Sequence, residues 1–446
     1  SQITDNDDTI AAVSTPVGQG AIAILRVSGP ATLSVLAKVF KARVKSPNLV
    51  PRRLYFGEIH DGPVKIDETL VTYFQAPNSY TGEDIVEISC HGGILVTRKI
   101  LDLLLRSGAR AANPGEFTQR AFLNGKMDLT QAEAVMDLIH AQTELALRAA
   151  NEQLAGHLGK ELDHLRDALL TVLAHIEAYI DFPDEHIDPE TGEALHARLE
   201  DIEFALSRLL ATADQGRVLR HGLRTVIYGE PNVGKSSLLN LLLGYDRAIV
   251  SEIPGTTRDT IEEVINVLGI PVRLVDTAGA RSSNDLLEKE GLRRTQDQVE
   301  QADLILWVVD ASLPKKTPLT TRKSILVLNK TDLGMHADWE STKGVRFSCK
   351  LRTGIEELNQ AIWNEVMGGS MAFQDLSIAI SARHQACVRE AKTMLLAGKD
   401  SLERGVSPEF ISIELRSALD AIGEVVGKVD TEELLGRIFS EFCIGK

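Results

Sequence analysis

The segment Gly229-Glu230-Pro231-Asn232-Val233-Gly234-Lys235-Ser236 constrains the fold of this chain more than any other. It reads G-x-x-x-x-G-K-S. It follows the apolar run Thr225-Val226-Ile227-Tyr228 and precedes Leu238-Leu239-Asn240-Leu241-Leu242-Leu243. A buried strand therefore enters a glycine-bearing loop and leaves it as a helix. The glycines let successive backbone N–H groups turn toward one anion at the helix N-terminus. Lys235 adds a cation for β- and γ-phosphates, and Ser236 a hydroxyl for Mg²⁺. A glycine-rich turn could match the pattern by chance, but the strand–loop–helix setting argues against it.

The surrounding block, 218 to about 372, alternates strand and helix. Val272-Arg273-Leu274-Val275, Leu304 to Val309 and Ile325 to Leu328 read as buried strands of a mostly parallel sheet. Asp276-Thr277-Ala278-Gly279 ends one strand and offers a carboxylate near the metal. Asn329-Lys330-Thr331-Asp332 ends another, and its carboxylate suits the two donors of a guanine edge. Ser348-Cys349-Lys350 follows a further strand. Order and spacing resemble the Ras-like GTPase superfamily, which implies that Asp332 selects GTP. In that superfamily the loop Gly255-Thr256-Thr257-Arg258-Asp259 is the first switch, and Thr257 matches the residue that completes the Mg²⁺ shell. Ala280 stands where Ras places its water-orienting Gln, so hydrolysis needs another polar group. Asp285, Glu288 and Glu290 are candidates, and residue chemistry alone does not choose among them.

The remaining sequence has two textures. Residues 1–124 carry short strand-like runs, Leu54–Ile59, Thr69–Phe74 and Ile85–Ile88, separated by turn chemistry. One helix, Ile94–Leu105, stops at Ser107-Gly108. From about 126 to 215 the period becomes helical. Leu154, Leu158, Leu162, Leu165, Leu169, Leu173 and Ile176 form one stripe, and a second helix spans Ala194–Leu210 after the break at Pro183. Helical texture returns from 378 to 442, so the α/β block reads as an insertion in a helical domain. The expected class is multidomain α/β. An α+β domain (1–124) precedes a helical domain in two parts (125–217 and 376–446), which brackets a P-loop GTPase domain (218–375).

Beyond the GTPase motifs, specific stretches match throughout the chain. They include Ile24-Leu25-Arg26-Val27-Ser28-Gly29, Ser79-Tyr80-Thr81-Gly82-Glu83-Asp84, His91-Gly92-Gly93, Pro114-Gly115-Glu116-Phe117-Thr118, Asn124-Gly125-Lys126-Met127-Asp128-Leu129 and Phe442-Cys443-Ile444-Gly445-Lys446. Together they resemble the MnmE (TrmE) family of tRNA-modification GTPases over essentially the whole length. The resemblance implies a folate-binding, dimerising N-terminal domain that holds 5-formyl- or methylene-tetrahydrofolate through Arg26, Glu83, Lys126 and Lys446. Cys443 matches a functional position, as a nucleophile or a structural thiol. The nucleotide contacts implied are Asn232, Val233, Gly234, Lys235, Ser236 and Ser237, with Ser251, Glu252, Ile253, Pro254, Gly255, Thr256 and Thr257. Asp276, Thr277, Ala278, Gly279, Asn329, Lys330, Asp332, Ser348, Cys349 and Lys350 complete that set. Ser236 and Thr257 would hold Mg²⁺, and Asn232, Ser251, Ile253 and Thr256 would hold K⁺. Glu288 aligns with the family's water-organising acid. The partners implied are a second copy, the flavoprotein MnmG with its FAD and NADH, and tRNA; DNA is not expected.

Composition bounds these expectations. Among 446 residues, 48 Lys plus Arg face 63 Asp plus Glu, a formal charge of −15. That balance excludes a generally basic nucleic-acid binder, and leaves Arg217, Arg220 and Arg224, or Arg52 and Arg53, as local phosphate contacts or solvated surface. Aromatics at 5% argue against base-stacking platforms. Four scattered cysteines fit a reducing cytosol, and no run approaches the ~18 apolar residues of a membrane span. The acidic Ser1–Asp8 lacks a signal peptide's basic region, and Gly445 and Lys446 fit a prenylation box poorly. Two other functions fit the residues: an RNA- or ribosome-assembly switch, and a folate-dependent aminomethyl transferase with a regulatory GTPase domain.

Overall fold

The computed structural model describes residues 8–43, 48–181, 189–245, 263–276, 296–315, 323–368, 379–428 and 432–445. The chain divides into two compact units, one formed by residues up to Met136 with those from Gly423 onward, the other by Asp137–Ile422.

The first unit contains β1 (Ile10–Val13), β2 (Ile22–Ser28), α1 (Thr32–Val39), β3 (Phe40–Ala42), β4 (Leu54–Asp61), β5 (Val64–Phe74), β6 (Ile85–His91), α2 (Ile94–Arg106), β7 (Arg110–Ala111) and α3 (Glu116–Leu123). One sheet runs β3-β4-β5-β6-β2-β1-β7. Its strands alternate because a pleated sheet sends successive side chains to opposite faces. Thus Ala23, Leu25 and Val27 of β2 enter the core with Val86, Ile88 and Cys90 of β6 and with Ile100, Leu103 and Leu104 of α2. On the opposite side, Phe117 of α3 packs on Ile10, Ala12 and Ala112. The expected helix at 94–105 is present and runs to Arg106, where Ser107 caps it.

Next come α4 (Leu129–His140), α5 (Glu144–Leu154), α6 (His157–Asp181), α7 (Pro189–Ala211) and α8 (Ala213–His221). The apolar stripe holds: Leu158, Leu162, Leu165, Leu169, Leu173 and Ile176 are all buried on α6. Leu154 ends the preceding helix, because Gly156 at φ +79° breaks the chain between them. Then follow β8 (Leu223–Tyr228), α9 (Lys235–Tyr245), β9 (Glu263–Val267), β10 (Ile270–Asp276), β11 (Leu304–Asp310), β12 (Ser324–Asn329), β13 (Val345–Arg346), α10 (Ile355–Met367), α11 (Ala382–Glu403) and α12 (Pro408–Val426). This second sheet runs β13-β12-β11-β8-β10-β9. All neighbours are parallel except β9, which pairs antiparallel with β10. Strand β9 is absent from the sequence expectation because Glu263-Val264-Ile265-Asn266-Val267 is too short and mixed to announce itself. The last helix, α13 (Glu432–Ser440), belongs to the first unit. There Gly115 lets α3 meet it, since a Cβ at Gly115 would lie 2.8 Å from the Phe439 carbonyl oxygen and from Phe442.

Candidate functional site

In the second unit β8 lies between β10 and β11, so the strand order reverses beside it. Ligands of open parallel sheets bind at the carboxyl ends of strands at such a point. The loop after β8 opens there. Asp276 ends β10 two residues beyond the partner of Thr225, pairing with Ile227, while Asp310 ends β11 opposite Asn329, the end of β12. Four strands thus deliver their terminal residues to one edge.

The loop is held by close approach rather than by bulk. Gly234 sits at φ +103°, and a Cβ there would lie 2.2 Å from Asn329 Nδ2. At Gly229 a Cβ would lie 2.2 Å from the Val308 carbonyl oxygen. Asn232 takes the left-handed conformation at φ +67°, which asparagine tolerates better than most side chains. Lys235 Nζ donates to the carbonyls of Gly229 (2.8 Å) and Glu230 (2.7 Å), curling the loop around its own ammonium. Ser236 and Ser237 are exposed in the first turn of α9, below which Val233 and Leu238 are buried. A glycine cradle, an ammonium and a free-standing hydroxyl at a helix start fit a nucleoside triphosphate with Mg²⁺.

Asn329 joins this cradle to the next loop. It is 2% exposed; its Nδ2 donates to Val233 O at 2.8 Å, and its Oδ1 accepts from the Cys349 N–H at 3.2 Å. Ser348 donates its hydroxyl to Asp332 Oδ1 at 2.6 Å, and the Ser348–Thr353 bridge closes the turn behind it. A carboxylate with one oxygen oriented this way keeps acceptor capacity for a base edge carrying two N–H donors. Lys330, at φ +64°, donates to Asp310 Oδ2 at 2.7 Å. Burial would push the Asp310 carboxyl up, but hydrogen bonds from Lys330 and Ser312 hold it below its ordinary value. Cys349 is partly buried against the core of the second unit, and that burial pushes its thiol up.

The structure therefore brings Asn232 to Ser237 together with Asn329, Lys330, Asp332, Ser348, Cys349 and Lys350, and places the backbone of Asp276 on the same edge. Ser251, Glu252, Ile253, Pro254, Gly255, Thr256, Thr257, Thr277, Ala278, Gly279 and Glu288 lie outside the described residues, as does Lys446. Asp310 is a member that sequence reasoning missed. Its signal was the Asp closing the apolar run Leu304–Val309, at the same relative place as Asn329.

The first unit holds a second cluster. The Arg26 guanidinium lies 5.4 Å from the Tyr80 ring centre and 5.6 Å from that of Phe117. Its Nε and Nη2 donate to Glu87 Oε1 at 3.1 and 2.7 Å, whereas Nη1 is buried with no hydrogen-bond partner among the described residues. Glu83 Oε2 accepts from Ser28 at 2.7 Å, and its Oε1 from Arg120 Nη1 at 3.1 Å. Lys126 is exposed and donates to the Pro77 carbonyl at 2.9 Å, while Asn124 holds the Thr81 carbonyl at 2.7 Å. Gly82 fits against Asn124 and Lys126, with a hypothetical Cβ 3.1 and 3.4 Å from them. Arg26, Glu83 and Lys126 thus surround one loop, Pro77–Glu83. The chain end lies beside β1, where a Cβ at Gly445 would come within 2.5 Å of Val13 O; Cys443 is exposed, and its carbonyl accepts from Gly115. The buried Nη1 of Arg26 is an unmet donor that an anionic or carbonyl-bearing ligand would satisfy.

Of the arginines read as phosphate contacts or solvated surface, Arg52 and Arg53 are exposed, and Arg217, Arg220 and Arg224 have partners within the second unit. Arg217 pairs with Asp303 at 3.0 Å, Arg220 with Asp137 at 2.9 Å, and Arg224 with Gln301 at 2.7 Å. They brace the second unit internally.

Comparisons with known proteins agree across the chain. The family model described as the MnmE helical domain matches residues 129–443, and that of the GTP-binding protein TrmE N-terminus matches 9–126. The tRNA modification GTPase MnmE of Akkermansia muciniphila is 53% identical over 100% of both chains. That of Natranaerobius thermophilus is 44% identical over 99% of this chain and 100% of its own. Among solved structures, the G domain of the T. maritima FeoB iron transporter covers 32% of this chain and 98% of its own at 25% identity, with a TM-score of 0.23, on which nothing rests here. By its family matches and its full-length relatives, the chain belongs to the MnmE (TrmE) family of tRNA modification GTPases and is a GTP hydrolase.

Proposed function

We propose that this chain is a K⁺-stimulated, Mg²⁺-dependent GTPase that modifies the wobble uridine of tRNA. Together with the flavoprotein MnmG, which brings FAD and NADH, it would add an aminomethyl or carboxymethylaminomethyl group at uridine C5. The one-carbon unit comes from 5-formyl- or methylene-tetrahydrofolate. The observation that carries the nucleotide part is Asn329, whose two amide atoms tie the phosphate loop to the loop after β13. That bond sets the phosphate cradle and the Asp332 carboxylate at a fixed separation, so base identity and phosphate position are read together.

In this reading Lys235 meets the β- and γ-phosphates, and Asp332 accepts from the guanine N1–H and 2-amino group. The loop Ser348, Cys349 and Lys350 lies beside the base oxygen. Ser236 and Thr257 would hold Mg²⁺ through their hydroxyls, and the ion would supply positive charge against the phosphates. Asn232, with backbone from Ser251 and Ile253 and with Thr256, would hold K⁺, which would supply the positive charge that an arginine finger supplies elsewhere. Glu288 orients the attacking water. Hydrolysis drives a conformational cycle, and the carbon chemistry belongs to the folate and the flavoprotein.

The Nη1 of Arg26, unpaired among the described residues, supports the folate part, because a guanidinium with one unpaired edge suits a polar heterocycle or its carboxylates. Glu83 takes ring N–H donors, and Lys126 with Lys446 neutralises the glutamate tail. We assign residues 1–124 to folate binding and homodimerisation, 125–217 and 376–446 to the helical domain, and 218–375 to the GTPase domain. The protein acts in the cytoplasm; among the described residues no helix is long and apolar enough to cross a membrane. With the arginines of α8 and β8 paired internally and a charge of −15, most of the tRNA contact falls to the partner.

The test is reconstitution with MnmG, tRNA, the folate, GTP and K⁺, reading the wobble nucleoside by mass spectrometry. A mass increase that needs all components is expected. Unmodified uridine in a mixture that hydrolyses GTP would overturn the proposal.

A further inference from the structure

Charge is spread unevenly along this acidic chain. Residues 9–57 hold seven Lys or Arg and no Asp or Glu, so all 63 acids lie outside that stretch. Part of it builds one edge of the sheet in the first unit. β3 is the outermost strand there and pairs with β4. The chain re-enters the sheet through the turn Val50–Arg53, where the Arg53 N–H donates to Val50 O at 3.4 Å and the Arg52 N–H to Tyr73 O at 2.7 Å. Lys41 on β3 and Arg52 and Arg53 in the turn are exposed.

These three cations are left uncompensated. Across the sheet from Lys41 the register places Glu58 and then Glu68. Both acids are already taken: Glu58 accepts from Arg43 at 3.0 Å and Lys65 at 3.2 Å, and Glu68 from the same two at 2.8 Å each. Lys41, Arg52 and Arg53 have no side-chain partner among the described residues. A lysine on an edge strand also guards against strand pairing, which accounts for Lys41. It does not account for two arginines in a turn beyond the end of β3. Arg52 takes φ +62° at the second central position of that turn, where glycine is favoured. Its exposed side chain gains little packing in return, and such an outlier points to function.

We propose that Lys41, Arg52 and Arg53 form a contact surface for the phosphodiester backbone of RNA, on the reading above that tRNA is the substrate. Lys41 lies opposite Glu58, five residues along β4 from Arg53. The cations therefore span about 17 Å, a length over which one nucleic-acid strand carries several phosphates. Guanidinium groups match phosphate oxygens two at a time, and the ammonium adds a point charge. Contacts of this kind fix where the RNA lies and carry no base information. The rest of an acidic surface repels RNA, so one uncompensated basic edge decides where it can approach. The flavoprotein partner can hold most of the tRNA while this edge holds one stretch of its backbone.

The experiment titrates fluorescently labelled tRNA with the full chain, by anisotropy, from about 50 to about 200 mM KCl. In the triple variant Lys41→Gln, Arg52→Gln, Arg53→Gln, affinity at the lowest salt should fall on the order of thirtyfold. The slope of log affinity against log salt should flatten by about 2, equally for tRNAs of different sequence. A control, Arg98→Gln, Lys99→Gln, Lys343→Gln, removes the same charge from other exposed positions and should stay within about twofold of the parent. GTP turnover should match the parent in both. An unchanged slope in the triple variant, or an equal loss in the control, would overturn the proposal and leave the tRNA reading standing. A triple variant that keeps the parental slope but no longer co-elutes with the flavoprotein would assign the edge to that protein and overturn the RNA contact. A parent chain that binds no tRNA at the lowest salt would overturn direct RNA contact by this chain altogether, whereas failure of the wobble-uridine reconstitution would count against the tRNA reading itself. Should the triple variant lose its cooperative melt, Arg53→Gln alone replaces it, with a flattening of just under 1 expected and none counting against.

Discussion

The phosphate-loop cradle of the second unit and the Arg26–Glu83 cluster of the first are built on opposite plans. The cradle is made of backbone: two glycines allow atoms to approach to where no Cβ fits, and Lys235 bonds to loop carbonyls. The other cluster is made of side chains, with Arg120, Arg110, Glu116, Glu83 and Asp8 linked as charged pairs. A backbone cradle can release and regrasp a phosphate without unpairing any buried charge, which suits a site that turns over. A charged network fixes shape, because loosening one member removes a partner from several charges at once. The first plan suits cycling and the second suits a fixed shape.

The contrast breaks most visibly at Gly234. In Gly234→Ala a left-handed backbone and a Cβ 2.2 Å from Asn329 Nδ2 must both be accommodated. Strain of ~1–3 kcal/mol adds to loss of the Asn329 bridge, so GTP affinity should fall on the order of a thousandfold by equilibrium titration. Folate affinity should be unchanged in the same sample. Next in size is Asp332→Asn. The amide presents a donor where guanine also donates, and GTP affinity should fall about a hundredfold, with xanthosine triphosphate gaining in compensation. Unchanged preference for GTP would remove Asp332 from base recognition.

The two plans also explain what was legible in the sequence. The cradle was readable because its parts are contiguous: Gly229 to Ser236 carries loop, ammonium and hydroxyl in eight residues, and Asn329 to Asp332 carries both bridge and base acceptor. The strands at 225–228, 272–275, 304–309 and 325–328 followed from their apolar runs, while their order in the sheet did not. Strand β9 was not legible, since its edge position leaves it half-polar and pairing with β10 is what makes it a strand. The charged network was invisible for a related reason. Arg120 meets Asp8 from 112 residues away and Glu83 from 37, and no local pattern records such pairings. Resemblance to a family named Glu83 as a ligand residue, yet what holds Glu83 is visible only in the fold. The residues Arg217, Arg220 and Arg224 could be read from the sequence as phosphate contacts or as solvated surface, and the partner each has within the second unit left no local pattern either.

A stability measurement sharpens the comparison from the other side. Arg110→Ala removes a partner from both Glu116, which is 2% exposed, and Asp8. Arg120 still covers both acids, and Arg110 itself is 35% exposed, so solvent screens part of the loss. The first unit should lose about 2 kcal/mol in denaturant unfolding, below the ~3–5 kcal/mol of a wholly buried broken pair. GTP turnover should be untouched. A loss under about 0.5 kcal/mol would mark the network as an exposed one in energetic terms.

The smallest effect separates the plans by pH. Burial would raise the Glu116 carboxyl, but hydrogen bonds from Arg110, the Asn113 N–H and Arg120 outweigh it and hold the group below its ordinary 4.5. Asp8 is held below 3.8 in the same way, burial being overcome by Arg110 and Arg120. A carboxyl whose folded value is depressed binds its proton more readily in the unfolded chain. Its stabilisation is therefore complete above the unfolded value and is lost as pH falls through the folded one. Between pH 5 and pH 3 the melting temperature of the first unit should drop by about 3 °C more in the parent than in Arg110→Ala, where part of the depression is already gone. In the second unit burial would raise the Asp310 carboxyl, but hydrogen bonds from Lys330 and Ser312 hold it below its ordinary value, so Asp310→Asn should flatten the acid response there by a smaller margin. Equal acid sensitivity of Arg110→Ala and the parent would mean that the Arg110 pairs do not depress these carboxyls, and the distinction between a cradle of backbone and a cluster of charges would then rest on geometry alone.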